Sequence, residues 1–174
     1  LDEERILRYY RNLLKSTLRT NYFQLGKNGK VKSYLSFKIA SREIIEMPLP
    51  RPLYEVFSYS PRFEGIHLRT SKIARGGLRW SSRQEDFRTE ILGLVKAQKV
   101  KNAVIVPSGA KGGFVPKKLG DITDKNEFLK EGLSCYKLFI NSMLDITDNI
   151  VGSKIIKPNE CVCYDENDPY FVVA

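Results

Sequence analysis

The sequence predicts an α/β domain, a mixed β-sheet of about five strands flanked by helices. Three observations carry this reading. Two long stretches, opening at Ser82 and at Asp124, place apolar residues at helical spacing behind capping residues. Around them lie short runs rich in β-branched and aromatic residues, punctuated by proline and glycine. The composition is globular, 42% hydrophobic and 11% aromatic, without a run of 18 or more apolar residues to span a membrane. With 174 residues, no internal repeat and no low-complexity linker, the chain reads as one domain over residues 1–174.

In chain order, Asp2 is placed to cap a helix from Glu3 to Leu18, with Ile6, Leu7, Tyr10, Leu13, Leu14 and Leu18 as its buried stripe. Lys27-Asn28-Gly29-Lys30 is a turn. Leu35, Phe37 and Ile39 alternate as in a half-buried strand. Pro48, Pro50 and Pro52 make an extended connector, because each disfavours helix in the residue before it. Leu53 to Tyr59 reads as a strand, joined as a hairpin across Pro61 and Gly65 to a second, Gly65 to Arg69. Lys117 to Lys125 is a polar connection into a long helix capped by Asp124. Its apolar face carries Phe128, Leu129, Leu133, Tyr136, Phe139, Ile140, Met143 and Leu144. Gly152 to Asn159 reads as loop, and Asp165-Glu166-Asn167-Asp168-Pro169 as a turn-rich entry to a final strand, Tyr170 to Val173. A charged start without methionine and an apolar end mark the chain as a piece of a longer one.

The chemistry concentrates between Arg75 and Phe114. Gly76 and Gly77 are flanked by Arg75 and Arg79, and Lys111 stands between small residues in Gly109-Ala110-Lys111-Gly112-Gly113. Ser82-Arg83-Gln84-Glu85 fits the capping box of a helix with Phe87, Ile91, Leu94 and Val95 on one face, ending near Val100. Ala103 to Val106 follows as a strand buried on both faces, which Pro107 ends. Helix, buried strand and glycine loop would set Lys111 beyond the carboxyl end of a strand, where open α/β sheets bind ligands. The stretch reads as an anion-binding active site worked by Lys111. A plain glycine turn carrying a solvated lysine is the alternative for the loop taken alone.

The net charge of +9 can mean a nucleic acid, an anionic membrane surface or an acidic substrate, and a solvated surface is the plain reading of most of the basic residues. The basic residues are dispersed, and no RNP, zinc-finger or helix-turn-helix pattern accompanies them. Cys135, Cys161 and Cys163 match no zinc spacing; Cys135 falls on the apolar side of a helix and reads as core. The lone His67 lies in a strand pattern and reads as structural, and no metal site is expected. This cysteine usage fits a reducing cytoplasm.

In the order Leu18-Arg19-Thr20-Asn21, Arg51-Pro52, Tyr59-Ser60-Pro61-Arg62, Arg75 to Asp86, Lys101 to Phe114, Tyr164-Asp165 and Asp168-Pro169-Tyr170, the chain resembles the large-subunit, NAD-specific glutamate dehydrogenases. A weaker resemblance reaches the small hexameric amino-acid dehydrogenases through the glycine pair, Glu90, Lys101-Asn102-Ala103 and the Gly-Ala-Lys-Gly-Gly run. The resemblance implies the substrate-binding domain of such an enzyme, with Lys111 catalytic and Lys101 and Arg75, beside Gly76 and Gly77, binding substrate carboxylates. Arg75 stands where the small enzymes have lysine, and Ser108-Gly109-Ala110 replaces two glycines. The resemblance further implies NAD as cofactor, bound by a domain beyond this chain, and an aspartate beyond Ala174 that shares the proton transfers. The partners implied are glutamate, 2-oxoglutarate and ammonia, no nucleic acid and no membrane, with the intact enzyme a homo-oligomer.

The chemistry is coherent on its own terms. Glutamate presents two carboxylates, which two or three fixed cations can bind and orient. Crowded cations and burial favour the neutral form of a lysine, which can then act as a base toward the water attacking an iminium carbon. Two other classes remain open at this point. A basic nucleic-acid-binding module would stack bases on Tyr34, Phe37, Tyr54 and Phe57. A phosphate-binding domain would use Gly109 to Gly113, although no P-loop pattern is present.

Overall fold

A computed structural model describes residues 2–101, 108–120 and 122–174. The first half is an α-helix, α1 (Asp2–Lys15), then strands β1 (Thr17–Thr20), β2 (Leu35–Ile39), β3 (Tyr54–Tyr59), β4 (Phe63–Arg69), β5 (Arg75–Gly76) and β6 (Leu78–Trp80). The second half is α2 (Phe87–Lys101), β7 (Ala110–Pro116), α3 (Lys125–Leu144), a hairpin of β8 (Asn149–Val151) and β9 (Lys154–Ile156), then β10 (Val162–Cys163) and β11 (Val172–Val173). Among the described residues seven strands form one mixed sheet, where about five were expected, in the order β10-β1-β2-β3-β4-β7-β6. All its pairs are antiparallel except β6 with β7, and β11 pairs in parallel with β5 outside it.

Both faces of the central strands are covered. Phe63 of β4 and Phe114 of β7 pack with Cys135, Phe139 and Met143 of α3. The alternate residues Ile66, Leu68 and Val115 pack with Phe87, Ile91, Leu92 and Val95 of α2. Period-two alternation therefore sends successive side chains to opposite helices. Arg88 fastens α2 through two bonds to buried Glu55 of β3, Nε–Oε1 2.9 Å and Nη2–Oε2 2.7 Å. Asp124 caps α3 as expected, accepting from the Glu127 amide at 2.8 Å.

The glycine-rich run is not a loop. Gly112 and Gly113 lie inside β7, bracketed by strands on both edges, and Lys111 is opposite Leu68 near the start of the strand, not beyond its carboxyl end. Packing is the reason. A Cβ at Gly113 would lie 2.4 Å from Ile91 Cδ1, and one at Gly65 2.5 Å from the Phe139 ring, so the absent side chains let both helices close on the sheet. The expected strand Ala103–Val106 lies outside the described residues.

Other expectations are corrected. α1 ends at Lys15, where the Thr17 hydroxyl takes the Leu13 carbonyl at 2.9 Å, and Leu18 belongs to β1. Its apolar stripe is exposed, with Leu7 at 68% and Leu14 at 72%. α2 begins at Phe87 without the Ser82–Glu85 box; the Ser81 hydroxyl instead donates to Glu90 at 2.5 Å and the Glu90 amide to the Asp86 carbonyl at 3.1 Å. Leu129, Leu133 and Leu144 lie exposed on the flanks of α3. In β2 the neighbours of Leu35 and Phe37 are the buried ones: Ser36 meets the Ser58 hydroxyl at 3.0 Å, and Ser58 meets Ser142 of α3 at 2.8 Å. The segment expected as loop from Gly152 is the β8–β9 hairpin, turned by Gly152 at φ 61°.

Charge attaches the C-terminal segment. Arg19, Lys38 and Arg69 rise from β1, β2 and β4 and meet Asp148, Asp165 and Asp168 in an alternating row, Asp148–Arg19–Asp165–Lys38–Asp168–Arg69. Asp148 and Asp168 also exchange backbone bonds: the Asp168 amide donates to Asp148 Oδ2 at 2.7 Å and the Asp148 amide to the Asp168 carbonyl at 3.2 Å. The Tyr54 ring lies against this row, 4.1 Å from Lys38 Nζ.

His67 is buried beside the row, edge-on to Phe171, with Nε2 unpartnered. Burial first, then the Arg69 charge, lower its pKa from 6.5 to about 3, with Asp168 opposing in part. A group neutral when folded and free to protonate when unfolded lowers stability as pH falls. Its stabilising contribution is full above the unfolded value and is eroded from there down to about 3, at roughly 1.4 kcal/mol per pH unit. His67→Gln should flatten the pH dependence of the chain's denaturant-unfolding free energy between about pH 6.5 and 4.5. Identical slopes for the two chains would show that His67 does not stay neutral in the fold.

Candidate active site

Three elements meet at one end of the sheet. The Arg75–Gly77 backbone runs beside the start of β7, where the Gly112 amide donates to the Gly77 carbonyl at 3.1 Å. A Cβ at Gly76 would lie 1.5 Å from the Ala110 carbonyl oxygen, an approach only glycine allows. From the last turn of α2, Gln98 donates to the Arg75 carbonyl at 3.1 Å, and its Oε1 lies 2.6 Å from where a Cβ at Gly109 would be. Thr70 secures the entry to β7: its amide and hydroxyl reach the Gly109 carbonyl at 3.1 and 3.0 Å, and its hydroxyl oxygen lies 2.8 Å from the Gly109 amide.

The expected residues take their places around this seam. Lys111 is half-buried and, by strand alternation, on the face that α2 covers. Lys101 is exposed at the end of α2, one turn beyond Gln98, and Arg75 is exposed on β5. Among the described residues none of these three cations is engaged in an ion pair. Arg79, the other arginine flanking the glycine pair, is held instead by Glu90 at 2.6 Å. Backbone contacts thus unite the two glycine stretches directly, while α2, which ends at Lys101, reaches them through Gln98.

Sequence reasoning missed Gln98, Thr70 and above all the partner of the final strand, which was expected at Tyr170 to Val173 and is β11. Val172 and Val173 pair with Arg75 and Gly76, and the Ala174 amide donates to the Gly76 carbonyl at 2.9 Å. The glycine strand is therefore gripped from both sides. The Asp168-Pro169-Tyr170 block signalled this segment, although its partner lies about a hundred residues earlier. Among the described residues no group of three or more His, Cys, Asp or Glu side chains is arranged to hold a metal, and no helix is long and apolar enough to cross a membrane.

Fold and site together define an α/β domain with a cationic, glycine-lined edge. The whole chain, residues 1–174, matches the family model described as the bacterial NAD-glutamate dehydrogenase catalytic domain. It is 59% identical over 174 residues to the NAD-specific glutamate dehydrogenase of Pseudomonas aeruginosa and 56% identical over 174 residues to that of Halomonas elongata. With that of Mycobacterium tuberculosis the identity is 53% over 182 residues. Each match covers 100% of this chain and 11% of the relative. The chain belongs to the bacterial NAD-glutamate dehydrogenase catalytic-domain family, and it spans 11% of the length of these relatives.

The seam gives a direct test. Gly76→Ala forces a methyl into the Ala110 backbone and should destabilise the chain by about 1–3 kcal/mol or more, as overpacking does. Gly93→Ala, at a helical position with open space, should stabilise by roughly 0.5–1 kcal/mol. Denaturant unfolding of the two variants compares them; a neutral Gly76→Ala would mean that β5 does not run against β7 this closely.

Proposed function

We propose that this chain is the substrate-binding part of an NAD-dependent glutamate dehydrogenase, which deaminates L-glutamate oxidatively to 2-oxoglutarate and ammonia. The observation that supports the proposal is a glycine-lined seam, with Arg75 on the strand that runs against the start of β7 and Lys111 near that start, in a chain of this family; Lys101 ends α2, and all three cations are free of ion pairs among the described residues. A substrate with two carboxylates needs surplus fixed positive charge at a backbone close enough to orient it. Arg75 and Lys101 take the carboxylates, Gly76 and Gly77 admit the substrate to the backbone, and Lys111 serves as base toward the water that attacks the iminium carbon of the oxidised substrate. The 174 residues act as one substrate domain of a cytoplasmic homo-oligomer. The exposed apolar stripe of α1 supports further association, and the unpaired cysteines suit a reducing compartment.

NAD is the cofactor in the names of the relatives, and the residues present do not fit it. In the parallel β6–α2–β7 unit, a pyrophosphate would rest at the N-terminus of α2. There the turn from Ser81 to Asp86 has no glycine and presents Glu85 and Asp86. We assign the cofactor to a domain outside this chain.

The other readings lose their basis. Gly109–Gly113 leads into a strand with partners on both edges, not a loop of free amides able to cradle a phosphate. Tyr54, one of the rings offered for stacking, is covered by Lys38 and Arg69.

Steady-state kinetics on the intact enzyme test the roles. Lys111→Ala should lower kcat by roughly 10²- to 10⁴-fold, the usual value of a general base. Lys101→Ala and Arg75→Ala should act mainly on KM for glutamate. Lys111→Arg should not restore turnover, because arginine keeps its proton. Near-normal kcat in Lys111→Arg would reduce Lys111 to a fixed cation and require another base.

A further inference from the structure

Both walls of the slot that holds Arg75 and Gly76 trace back to a single residue, Arg69. Its backbone pairs with Ala110 in the β4–β7 ladder, and the Ala110 carbonyl is the wall that only a glycine at position 76 can approach. Its guanidinium reaches the other way. It holds Asp168 through two bonds, one of them Nη1–Oδ1 at 3.0 Å, and Nη1 also donates to the Tyr170 carbonyl at 3.0 Å. Two residues beyond Tyr170, β11 begins and forms the opposite wall.

We propose that Asp168 is a positioning residue for the substrate site: by binding Arg69 and Lys38 it sets β11 in register against Arg75–Gly76 and so fixes where Arg75 presents its guanidinium. The proposal rests on the reading of this edge as a glutamate site. Lys38 Nζ reaches Asp168 Oδ2 at 2.5 Å, and the Asp148 carboxylate accepts from the Asp168 amide, so side chain and backbone of residue 168 are both fixed. Pro169 restricts the next φ, and the Arg69 bond to the Tyr170 carbonyl orients the chain after it. The Ala174 amide then closes on the Gly76 carbonyl at 2.9 Å. Loss of the Asp168 charge releases the start of this tether without touching Arg75, Lys101 or Lys111.

A purely structural Asp168 predicts less active enzyme with unchanged KM. A positioning Asp168 predicts a specific defect in carboxylate binding. Asp168→Asn in the full-length enzyme should raise KM for glutamate and for 2-oxoglutarate roughly ten- to hundredfold, the range of one charge-assisted hydrogen bond, with KM for NAD unchanged. Arg69→Lys should not rescue, because an ammonium cannot reproduce the paired contacts to Asp168 together with that to Tyr170. Ala174→Pro removes the donor to Gly76 while leaving the ion row intact, and should raise KM for glutamate in the same way. It decides the matter if Asp168→Asn does not fold. Arg75→Ala is the control. If Arg75→Ala raises KM but Asp168→Asn and Ala174→Pro leave it unchanged, the positioning role falls and the site stands. If Arg75→Ala itself leaves KM unchanged, the reading of this edge as the substrate site falls, and the inference with it.

Discussion

The alternating row Asp148–Arg19–Asp165–Lys38–Asp168–Arg69 is the constraint on which the rest of this structure depends. Its cations come from three strands of the first half, and its carboxylates all come from the stretch after α3. Three positive and three negative groups leave the row neutral, which is the condition for removing them from water together. Removing one member would leave a buried charge without its partner, at a cost of about 3–5 kcal/mol. Burial alone would raise the pKa of Asp168, but its bonds to Arg69 and the charges of Arg69 and Lys38 hold it well below the usual carboxylate range. Asp148 is lowered likewise, burial opposing and Arg19 prevailing. The stabilisation from both is present above the ordinary carboxylate value and is lost as pH falls below it. The sheet is therefore completed only when the C-terminal segment arrives.

A second constraint acts at right angles to the first. β4 and β7 are squeezed between α2 and α3, and the helices come close only where side chains are missing. Ile91 occupies the space beside Gly113, and Phe139 the space beside Gly65. The same glycines that suggest a flexible loop in one dimension are contact points in three. Each weakens a strand by removing side-chain contacts and adding unfolded entropy. Here a helix side chain fills the volume, so packing offsets that loss.

Local rules reached as far as local physics extends. The Asp124 cap, the β3–β4 hairpin and the Phe139–Met143 face of α3 were legible because each is decided within a few residues. The candidate site block was chosen on a similar basis, since Arg75, Gly76, Gly77, Lys101 and Lys111 fall within one continuous stretch of the sequence, and the meeting of its two glycine stretches in space is what the structure adds. What failed is non-local. The α1 stripe has helical period, yet no described element covers it. Ser81, not Ser82, meets a carboxylate at the start of α2, and that carboxylate is Glu90, which also holds Arg79. Arg69 and Asp168 stand 99 positions apart, and no periodicity links them. Nor does any local pattern mark Lys38 as the buried partner of two carboxylates from the far end of the chain.

These observations also divide the chain's surplus of positive charge into two kinds. Arg19, Lys38, Arg69, Arg62, Arg88 and Lys117 are engaged with internal carboxylates and act as fasteners between elements. Such cations contribute little field outside the molecule, because each carries its counter-charge with it. Arg75, Lys101 and Lys111, among the described residues, have no internal counter-charge. In the proposed reading their field is left to an anionic substrate. The two kinds are coupled through Arg69. Its ion pair lies on the α3 face, and its strand partner Ala110 precedes Lys111, whose side chain turns to the α2 face. A fastening charge thus stands on the strand pair from which Lys111 projects.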